Sequence, residues 1–319
     1  MYRIDDATAA TSLPVPEAAG TEGYFTEGNP ATSTPATKVR GSWLNMIQEE
    51  LCAILAAAGI SRSKTSYNQV NLALQKMYAP VAGTMRNASM SVTTASATAT
   101  FAADEIVVAT ALGGQTFKLA NFNKTINLAT TGAGGMDAGS APASGYVALY
   151  AIYNPTTGAS ALLATNATSA VAPNVYGGAN MPAGYTASAL VSVWPTNASM
   201  QFVVGFQDDR RVRTSTRAIA NISTQTTTPT PFSLSGAVPP NAKTVKLVVN
   251  VAGTSSANVF CNIYSSSTGI DQNQFASNPV TGLTVAFEAA TLITPQTLYY
   301  TAGASGTMTL TITASGYTI

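Results

Sequence analysis

Carboxylates are the residues of this sequence that could carry out acid–base chemistry, because the chain of 319 residues contains no histidine. Without an imidazole, the chain cannot form a Ser–His–Asp or Cys–His nucleophile, and zinc sites that use histidine are excluded. A pair of carboxylates can still hydrolyse a glycosidic bond, with one as the acid and the other as nucleophile or base. The position of the acidic residues therefore decides whether the sequence could encode a hydrolase.

Two adjacent acidic pairs lie beyond the N-terminal region, Asp104-Glu105 and Asp208-Asp209. Neighbouring residues of a strand point to opposite faces of the sheet, so neither pair is well placed to share one cleft. The second pair belongs to the densest charge cluster of the chain, DDRRVR at residues 208–213, which predicts a network of salt bridges. We therefore expect no enzymatic activity, no cofactor and no metal site.

Sugar binding without cleavage requires only an aromatic face for the apolar side of the sugar ring and polar side chains for its hydroxyls. Two groups of residues in predicted loops supply both, namely Tyr176, Asn180 and Tyr185, and Tyr264, Asn273 and Gln274. The alternative is that these tyrosines cover the edges of sheets or pack at a subunit interface. The residue types leave both interpretations open.

Charge is scarce throughout the chain. Its 15 basic and 14 acidic residues make up 9% of the sequence, against about 25% in an average soluble protein. The net charge of +1 gives no reason to expect a nucleic-acid ligand. No apolar run approaches the roughly 20 residues of a membrane-spanning helix, and the N-terminus lacks the features of a secretory signal. A Ser/Thr-rich monomer would explain this composition, and so would surfaces buried between copies of the chain.

A proline-rich arm precedes two short amphipathic helices. Pro30 and Pro35 bias the residues before them towards extended backbone, so residues 1–40 predict an extended arm with an outstretched strap at residues 28–37. Helical spacing predicts a hairpin at residues 41–80. Its apolar side would consist of Leu44, Ile47, Leu51, Ile54, Leu55 and Ala58 in the first helix, and Tyr67, Val70, Leu74 and Met77 in the second. Because such a hairpin is too small for a good core, we expect copies to associate around it.

From about residue 85 the apolar residues alternate with polar ones, which predicts strands separated by turns of Gly, Pro and Asn. Residues 85–213 predict a β-rich module, residues 214–232 a Thr/Pro-rich linker, and residues 233–319 a small C-terminal β-sandwich. The predicted fold class is therefore mainly β with a small N-terminal α-helical hairpin and two antiparallel β-sandwich-like modules. Cys52 and Cys261 lie far apart and are expected to be buried free thiols.

The stretch GNPAT…PAT…W.N..QEEL, preceded by Tyr2-Arg3-Ile4-Asp5, resembles the N-terminal region of tail fibre proteins from tailed bacteriophages and related prophages. The stretch from about Phe101 to Val212, which ends in QDDRRV, is similar to a β-rich module of such fibres. The C-terminal part of the chain carries no such resemblance.

This resemblance implies a homotrimeric fibre of the virion, assembled in the bacterial cytoplasm, that attaches by its N-terminus to the tail or baseplate. The expected attachment residues are Tyr2, Phe25, Pro30, Pro35, Trp43, Leu44, Ile47 and Leu51. Its expected partners are copies of itself, tail or baseplate proteins, other fibre proteins and bacterial surface polysaccharide, without nucleic acid or membrane insertion. Two alternatives are an adaptor that links a further receptor-binding fibre to the tail, and a polysaccharide depolymerase.

Overall fold

The computed structural model of the protein describes residues 2–78 and 80–319, without the side chains of residues 255–257 and 277–280. Its contacts divide the described chain into a unit at residues 2–78 and a unit at residues 80–319. The predicted ranges 1–40 and 41–80 include residues 1 and 79, which lie outside the described residues. The fold is mainly β, with antiparallel sheets and two helices near the N-terminus, as the sequence predicts.

The helical unit contains α1 (Gly41–Ala57) and α2 (Gln69–Met77). α1 ends in a left-handed turn at Gly59, whose φ of 64° is accessible to glycine at little cost. The N–H of Ile60 donates to the carbonyl of Leu55 at 2.9 Å, which closes the helix end in a Schellman-type arrangement. The chain can therefore turn sharply away from α1 towards α2.

The core between the two helices is very small. Its buried apolar cluster consists of Leu55, Ala58 and Ala73. Gln69 is also buried, and its side chain donates to the Ser61 carbonyl at 2.7 Å. The predicted apolar face of α2 is wrong at three of its four residues, and only Val70 among them packs against this cluster. Tyr67, Leu74 and Met77 are exposed, because the neighbouring face with Gln69 and Ala73 packs against α1.

The second unit is built from strands that pair in an antiparallel manner. In chain order they are β1 (Met85–Arg86), β2 (Ser89–Val92), β3 (Thr98–Ala109), β4 (Thr116–Asn127), β5 (Tyr146–Tyr153), β6 (Ser160–Asn166), β7 (Ala187–Pro195), β8 (Gly205–Asp208), β9 (Arg211–Ile222), β10 (Thr226–Ser233), β11 (Thr244–Tyr264), β12 (Asn273–Thr291), β13 (Thr297–Ala304) and β14 (Met308–Thr318). The pairing order is β10-β13-β11-β14-β9-β8-β2-β3-β7-β5-β6, with β1 and β4 on β3 and β12 on β11.

The prediction of a linker at residues 214–232 is wrong at the level of secondary structure. This segment lies in β9, which pairs with β8 and β14, and in β10, which pairs with β13. Its many threonines favour a pleated, half-buried strand. Its prolines, Pro229 and Pro231, are tolerated because β10 ends the pairing path and has one free edge. One apolar core cluster consequently includes residues from both predicted modules.

Prolines and a loop close the two ends of this pairing path. At the β10 end, Pro229 and Pro231 offer no backbone N–H to an added strand. At the β6 end, the loop at residues 134–137 covers the edge. There, the N–H of Gly134 donates to the Leu162 carbonyl at 2.7 Å, and the N–H of Asp137 donates to the Ala164 carbonyl at the same distance. Sheet extension at either end is therefore discouraged.

Buried aromatic side chains of the β unit donate hydrogen bonds to backbone carbonyls. Trp194 is fully buried, and its indole N–H donates to the Val203 carbonyl at 2.9 Å. The Tyr317 hydroxyl donates to the Val193 carbonyl at 2.6 Å. Burial raises the pKa of Tyr146 to about 12, and it raises those of Tyr150 and Tyr317 as well. The neutral form of each hydroxyl is therefore the one that is stable in the folded protein.

The close approach of β8 to β9 depends on Gly205, and we expect Gly205→Ala to destabilise the protein. A Cβ at this position would lie 2.5 Å from the Arg213 carbonyl oxygen and 3.0 Å from the Trp194 ring. Overpacking of this kind lowers the free energy of unfolding by about 1–3 kcal/mol. Gly236→Ala is the matched control, because a Cβ there meets nothing within 4 Å. Denaturant unfolding measures both, and equal stability of the two variants would contradict this packing.

Candidate functional site

Half of the residues expected to make the attachment lie on α1, and all of these are at least partly exposed, namely Trp43, Leu44, Ile47 and Leu51. Leu44 and Ile47 are 54% and 36% exposed, and Leu51 is half-buried. Steps of three and four residues place these three side chains on one side of the helix. We call this row of Leu44, Ile47 and Leu51 the ridge. The C-terminal part of the predicted stripe, with Leu55 and Ala58, packs against α2 instead.

The arm packs against the N-terminal turns of α1 through a ring contact. Phe25 meets Trp43 edge-to-face, with 5.0 Å between ring centroids and 78° between ring planes. Both rings nevertheless remain about half exposed, at 55% and 41% respectively. An open groove of about 890 Å³ lies between residues 13–25 of the arm and α1, and Trp43 and Met46 line it. We call this the arm groove.

The start of the arm is fixed to the helical hairpin by ion pairs. The Arg3 guanidinium donates from Nε and an Nη to the two Glu49 carboxylate oxygens at 2.6 and 2.5 Å. The Lys64 ammonium donates to Asp5 at 2.7 Å. Hydrogen bonds from these cations lower the pKa of Glu49 and of Asp5. Tyr2 lies beside these pairs and is about half exposed.

A third carboxylate, Glu17, connects the middle of the arm to the start of α1. Its Oε1 accepts from the Arg40 guanidinium at 2.8 Å and from the Ser42 hydroxyl at 3.0 Å. A hydrogen bond at its own backbone N–H, followed by those from Arg40 and Ser42, lowers the pKa of Glu17 to about 2. The three ion pairs are solvent-exposed, so each contributes little, and salt weakens them.

The segment around Pro30 and Pro35 is not the outstretched strap that the sequence predicts. Residues 26–37 instead form a closed loop, in which the Thr37 N–H donates to the Thr26 carbonyl at 2.9 Å. Within it, Pro30–Thr32 form a short 3₁₀ turn that the Asn29 side chain caps at Ala31. Proline suits the first position of such a turn, because its φ is already set and its missing N–H is not needed. Pro30 and Pro35 are both exposed.

The candidate sugar-binding residues Tyr176, Asn180 and Tyr185 lie in the loop between β6 and β7, and a hydrogen bond links this loop to Asp137 in the loop between β4 and β5. The Tyr176 hydroxyl donates to the Asp137 carboxylate at 3.0 Å and accepts from the Asn180 N–H at 3.1 Å. The Tyr176 ring packs edge-to-face on Tyr150 at 5.5 Å. Tyr176 and Tyr185 are both half-buried against the same apolar cluster, and Asn180 is exposed. The structure thus places the partly open Tyr176 ring beside the Asp137 carboxylate, with the Tyr185 ring elsewhere in the same loop.

The second predicted group is less suited to stacking. Tyr264 is buried, and its hydroxyl lies 3.2 Å from that of Thr301, so neither face of its ring is open to a sugar. Asn273 donates from its side chain to the Asp271 carbonyl at 3.1 Å. Gln274 is exposed on β12. Burial of the aromatic ring removes the feature for which this group was chosen.

The prediction of a salt-bridge network in DDRRVR is wrong for the described residues, since none of their recorded ion pairs involves residues 208–213. Arg210 is instead largely buried and donates to the Gly83 and Leu190 carbonyls. Its pKa is lowered by this burial. Asp209 accepts from the N–H of Ala88 at 2.9 Å. The cluster therefore connects distant strands through backbone groups.

In the described part of the chain, no group of three or more Cys, Asp or Glu side chains could hold a metal ion. Neither α1 nor α2, within that part, is long and apolar enough to span a bilayer. Cys52 and Cys261 are both buried and free, as predicted. The partners Arg3, Glu17 and Glu49 were missed as site residues, because each interacts with a residue more than 20 positions away and no local pattern marks them.

Comparison with known proteins gives one local similarity. No family model matches the chain. A stretch of 77 residues is 42% identical to a protein of Escherichia coli (strain K12) named "Uncharacterized protein StfP". The similarity covers 24% of this chain and 35% of that relative, so the chain spans about a third of the length of the relative it matches.

The ion pairs of the arm predict that acid releases it from α1 before the β unit unfolds. The folded pKa values of Asp5, Glu17 and Glu49 lie below their ordinary values, so their stabilisation is present above the ordinary values and lost as the pH falls. For Glu17 the window runs from 4.5 to about 2. Release removes Phe25 from Trp43, and we expect a red shift of tryptophan emission in this window.

Trp194 is fully buried and serves as an internal reference, because its emission changes only when the β unit unfolds. Glu17→Gln is expected to abolish part of the shift without changing far-UV circular dichroism. An unchanged emission down to pH 2.5, with intact circular dichroism at every pH, would show that these pairs do not hold the arm.

Proposed function

We propose that this protein is a tail-fibre protein of the virion, in which residues 2–78 attach to the phage tail or baseplate. The observation that carries this proposal is the combination of a minimal core with exposed apolar side chains in one small unit. Leu55, Ala58 and Ala73 form its buried cluster, whereas the ridge and the rings of Phe25 and Trp43 remain open. Exposed apolar surface of this kind is typical of protein–protein interfaces.

The arm is suited to attachment because its links to the hairpin are individually weak. Exposed ion pairs and one ring contact hold it, so a partner can replace them at small cost. The local similarity to StfP supports the same function, since that name hints at a side tail fibre. The sequence resemblance of residues 2–51 to fibre attachment regions is the third support.

We further propose that three copies of the chain form the fibre. A chain with 9% charged residues and a small helical core becomes more stable when it buries apolar surface against other copies. Three linked copies also multiply the affinity of each weak binding site. In this proposal the β unit acts by binding and not by catalysis, and the loops with Tyr176, Asn180 and Tyr185 contact surface polysaccharide of the host.

Deletion of residues 2–78 is expected to abolish attachment, because the proposed contact surface lies entirely within that unit. Particles that lack the fibre are mixed with the full chain or with the deletion variant, sedimented, and probed for bound protein. We expect only the full chain to sediment with the particles. The control is circular dichroism of the deletion variant, which should retain the β spectrum. Equal attachment of both forms would show that residues 2–78 are not the attachment unit.

Sugar binding predicts that Tyr185→Ala weakens the affinity for host surface polysaccharide by about fivefold, since a lost stacking ring removes on the order of 1 kcal/mol. Tyr78→Ala is the matched control, because Tyr78 is exposed and lies outside the β unit. Calorimetric titration with purified polysaccharide gives both affinities. If Tyr185→Ala binds as tightly as the control, these loops do not form the binding site. Binding of other virion proteins but not of polysaccharide would favour the adaptor alternative.

A further inference from the structure

The half-buried carboxylate of Asp137 has no cation paired with it. Within the described part of the chain, it takes part in none of the recorded ion pairs. Asp137 is also the one charged residue in the sequence from residue 125 to residue 207, a stretch that supplies β5, β6, β7 and the loop of Tyr176. A negative charge that is partly withdrawn from water without a counter-ion costs free energy. A cationic ligand would offset this cost.

Both oxygens of this carboxylate are held by hydrogen bonds. Oδ1 accepts from the Ala138 N–H at 2.8 Å, and Oδ2 accepts from the Tyr176 hydroxyl at 3.0 Å. An ionised carboxylate offers about four acceptor positions, so about two remain for a ligand. The carboxylate is therefore oriented before a ligand binds, which reduces the ordering that binding requires.

The loop between β6 and β7 closes around the hydroxyl of its own Tyr176. The Asn180 N–H donates to this hydroxyl at 3.1 Å, and a Cβ at Gly178 would lie 2.4 Å from it. A larger residue than glycine at position 178 would therefore displace the hydroxyl from Asp137. The Tyr176 ring remains half-buried on Tyr150, so part of it is open. The structure thus fixes a partly open aromatic ring and a carboxylate within one hydrogen bond of each other.

The charge that acts on these rings is the negative charge of Asp137. Burial raises the pKa of Tyr150 and of Tyr176, and Asp137 raises both further. The cation Arg217 lies farther along β5, with its guanidinium carbon 6.0 Å from the Tyr146 ring centroid. Tyr146 precedes Tyr150 by four strand residues, or about 13 Å. The surroundings of Tyr176 therefore favour a positively charged group.

We propose that this site binds a sugar with a free amino group, whose ammonium contacts Asp137 while the sugar ring stacks on Tyr176. The inference rests on the proposed binding of host polysaccharide by the same loop and specifies the class of sugar. The ammonium supplies the counter-ion that Asp137 lacks, and its N–H groups fill the open acceptor positions of the carboxylate. Polysaccharides that carry acidic groups and no amines are repelled by the same charge.

The rival ligand is a neutral sugar whose hydroxyls donate to Asp137. Such a sugar would use the same acceptor positions and the same ring. It would leave the negative charge without a counter-ion, and its hydrogen bonds would have only one charged partner. The two ligands therefore differ in how much affinity depends on the charge of the amine.

N-acetylation of the ligand tests the inference with the full chain. Acetic anhydride converts the free amines of a polysaccharide into neutral amides. An array of purified bacterial surface polysaccharides, which includes the host polysaccharide used for calorimetric titration, is probed before and after this treatment. We expect the bound polysaccharides to contain free amines, and we expect acetylation to weaken their binding by about fivefold or more, because hydrogen bonds between charged partners are the stronger ones.

Asp137→Asn removes the charge and keeps the shape and one acceptor oxygen. We expect this variant to bind the untreated polysaccharide about fivefold more weakly than the parent chain does, and to be insensitive to acetylation. Asp208→Asn is the matched control, because Asp208 is an exposed carboxylate of β8 that has no recorded ion pair in the described chain. It should bind as the parent does. Denaturant unfolding compares the stability of the two variants, and the acetylation test stands even where Asp137→Asn is less stable.

Equal binding of treated and untreated polysaccharide, or a preference for acidic polysaccharides, would overturn the inference and leave sugar binding by the loop intact. An Asp137→Asn variant that shows the full effect of acetylation would overturn it as well, since the amine would then be bound elsewhere. Binding of no polysaccharide at all would refute the proposed sugar binding itself, and this inference with it.

Discussion

The small core between α1 and α2 is the constraint on which the N-terminal unit depends. Leu55, Ala58 and Ala73 form its buried apolar cluster, and two of these three are alanines. Burial of so little apolar area, at about 25 cal/mol per Å², offsets only a small part of the entropy lost when the unit is ordered. The unit therefore needs further stabilisation, from the arm or from a binding partner.

The arm stabilises the hairpin through contacts that are individually weak. Its closed loop at residues 26–37 is ordered by local hydrogen bonds, whereas its remaining contacts with the hairpin are exposed ion pairs and the Phe25–Trp43 ring contact. The β unit has the opposite character. One core cluster includes residues from 88 to 317, and the Arg210 guanidinium and the Gln207 side-chain Nε2 donate to backbone carbonyls at 2.5–3.3 Å. The chain thus contains one unit that has a small core and exposed ion pairs, and a second unit that has an extensive buried core.

Local patterns predict most local features of this structure, with the closed loop at residues 26–37 as an exception. Alternation of period two identifies β14, short apolar runs between turn residues identify β5 and β7, and the glycine after the first apolar stripe predicts the left-handed turn at Gly59. Features set by distant partners are not predicted. Within DDRRVR, Arg210 donates to the Gly83 carbonyl and Asp209 accepts from the Ala88 N–H, each more than 100 residues away. The Thr/Pro segment becomes a strand because β13 and β14 provide neighbours. Likewise, its residue type made Tyr264 a candidate for sugar binding. Its burial depends on distant strands and was not predicted from the sequence.

The distribution of titratable groups gives the β unit an unusual durability. Residues 138–207 contain no Asp, Glu, Lys or Arg, and the whole chain lacks histidine, so this stretch has almost nothing to protonate in mild acid. Its titratable side chains are tyrosines, and those of Tyr146 and Tyr150 must stay neutral to remain buried. Both fold with raised pKa values, so stability is retained below pH 10 and declines only as alkali ionises the unfolded chain more readily. The packing of this stretch is therefore insensitive to mild acid, and alkali is the condition to which its buried tyrosines respond.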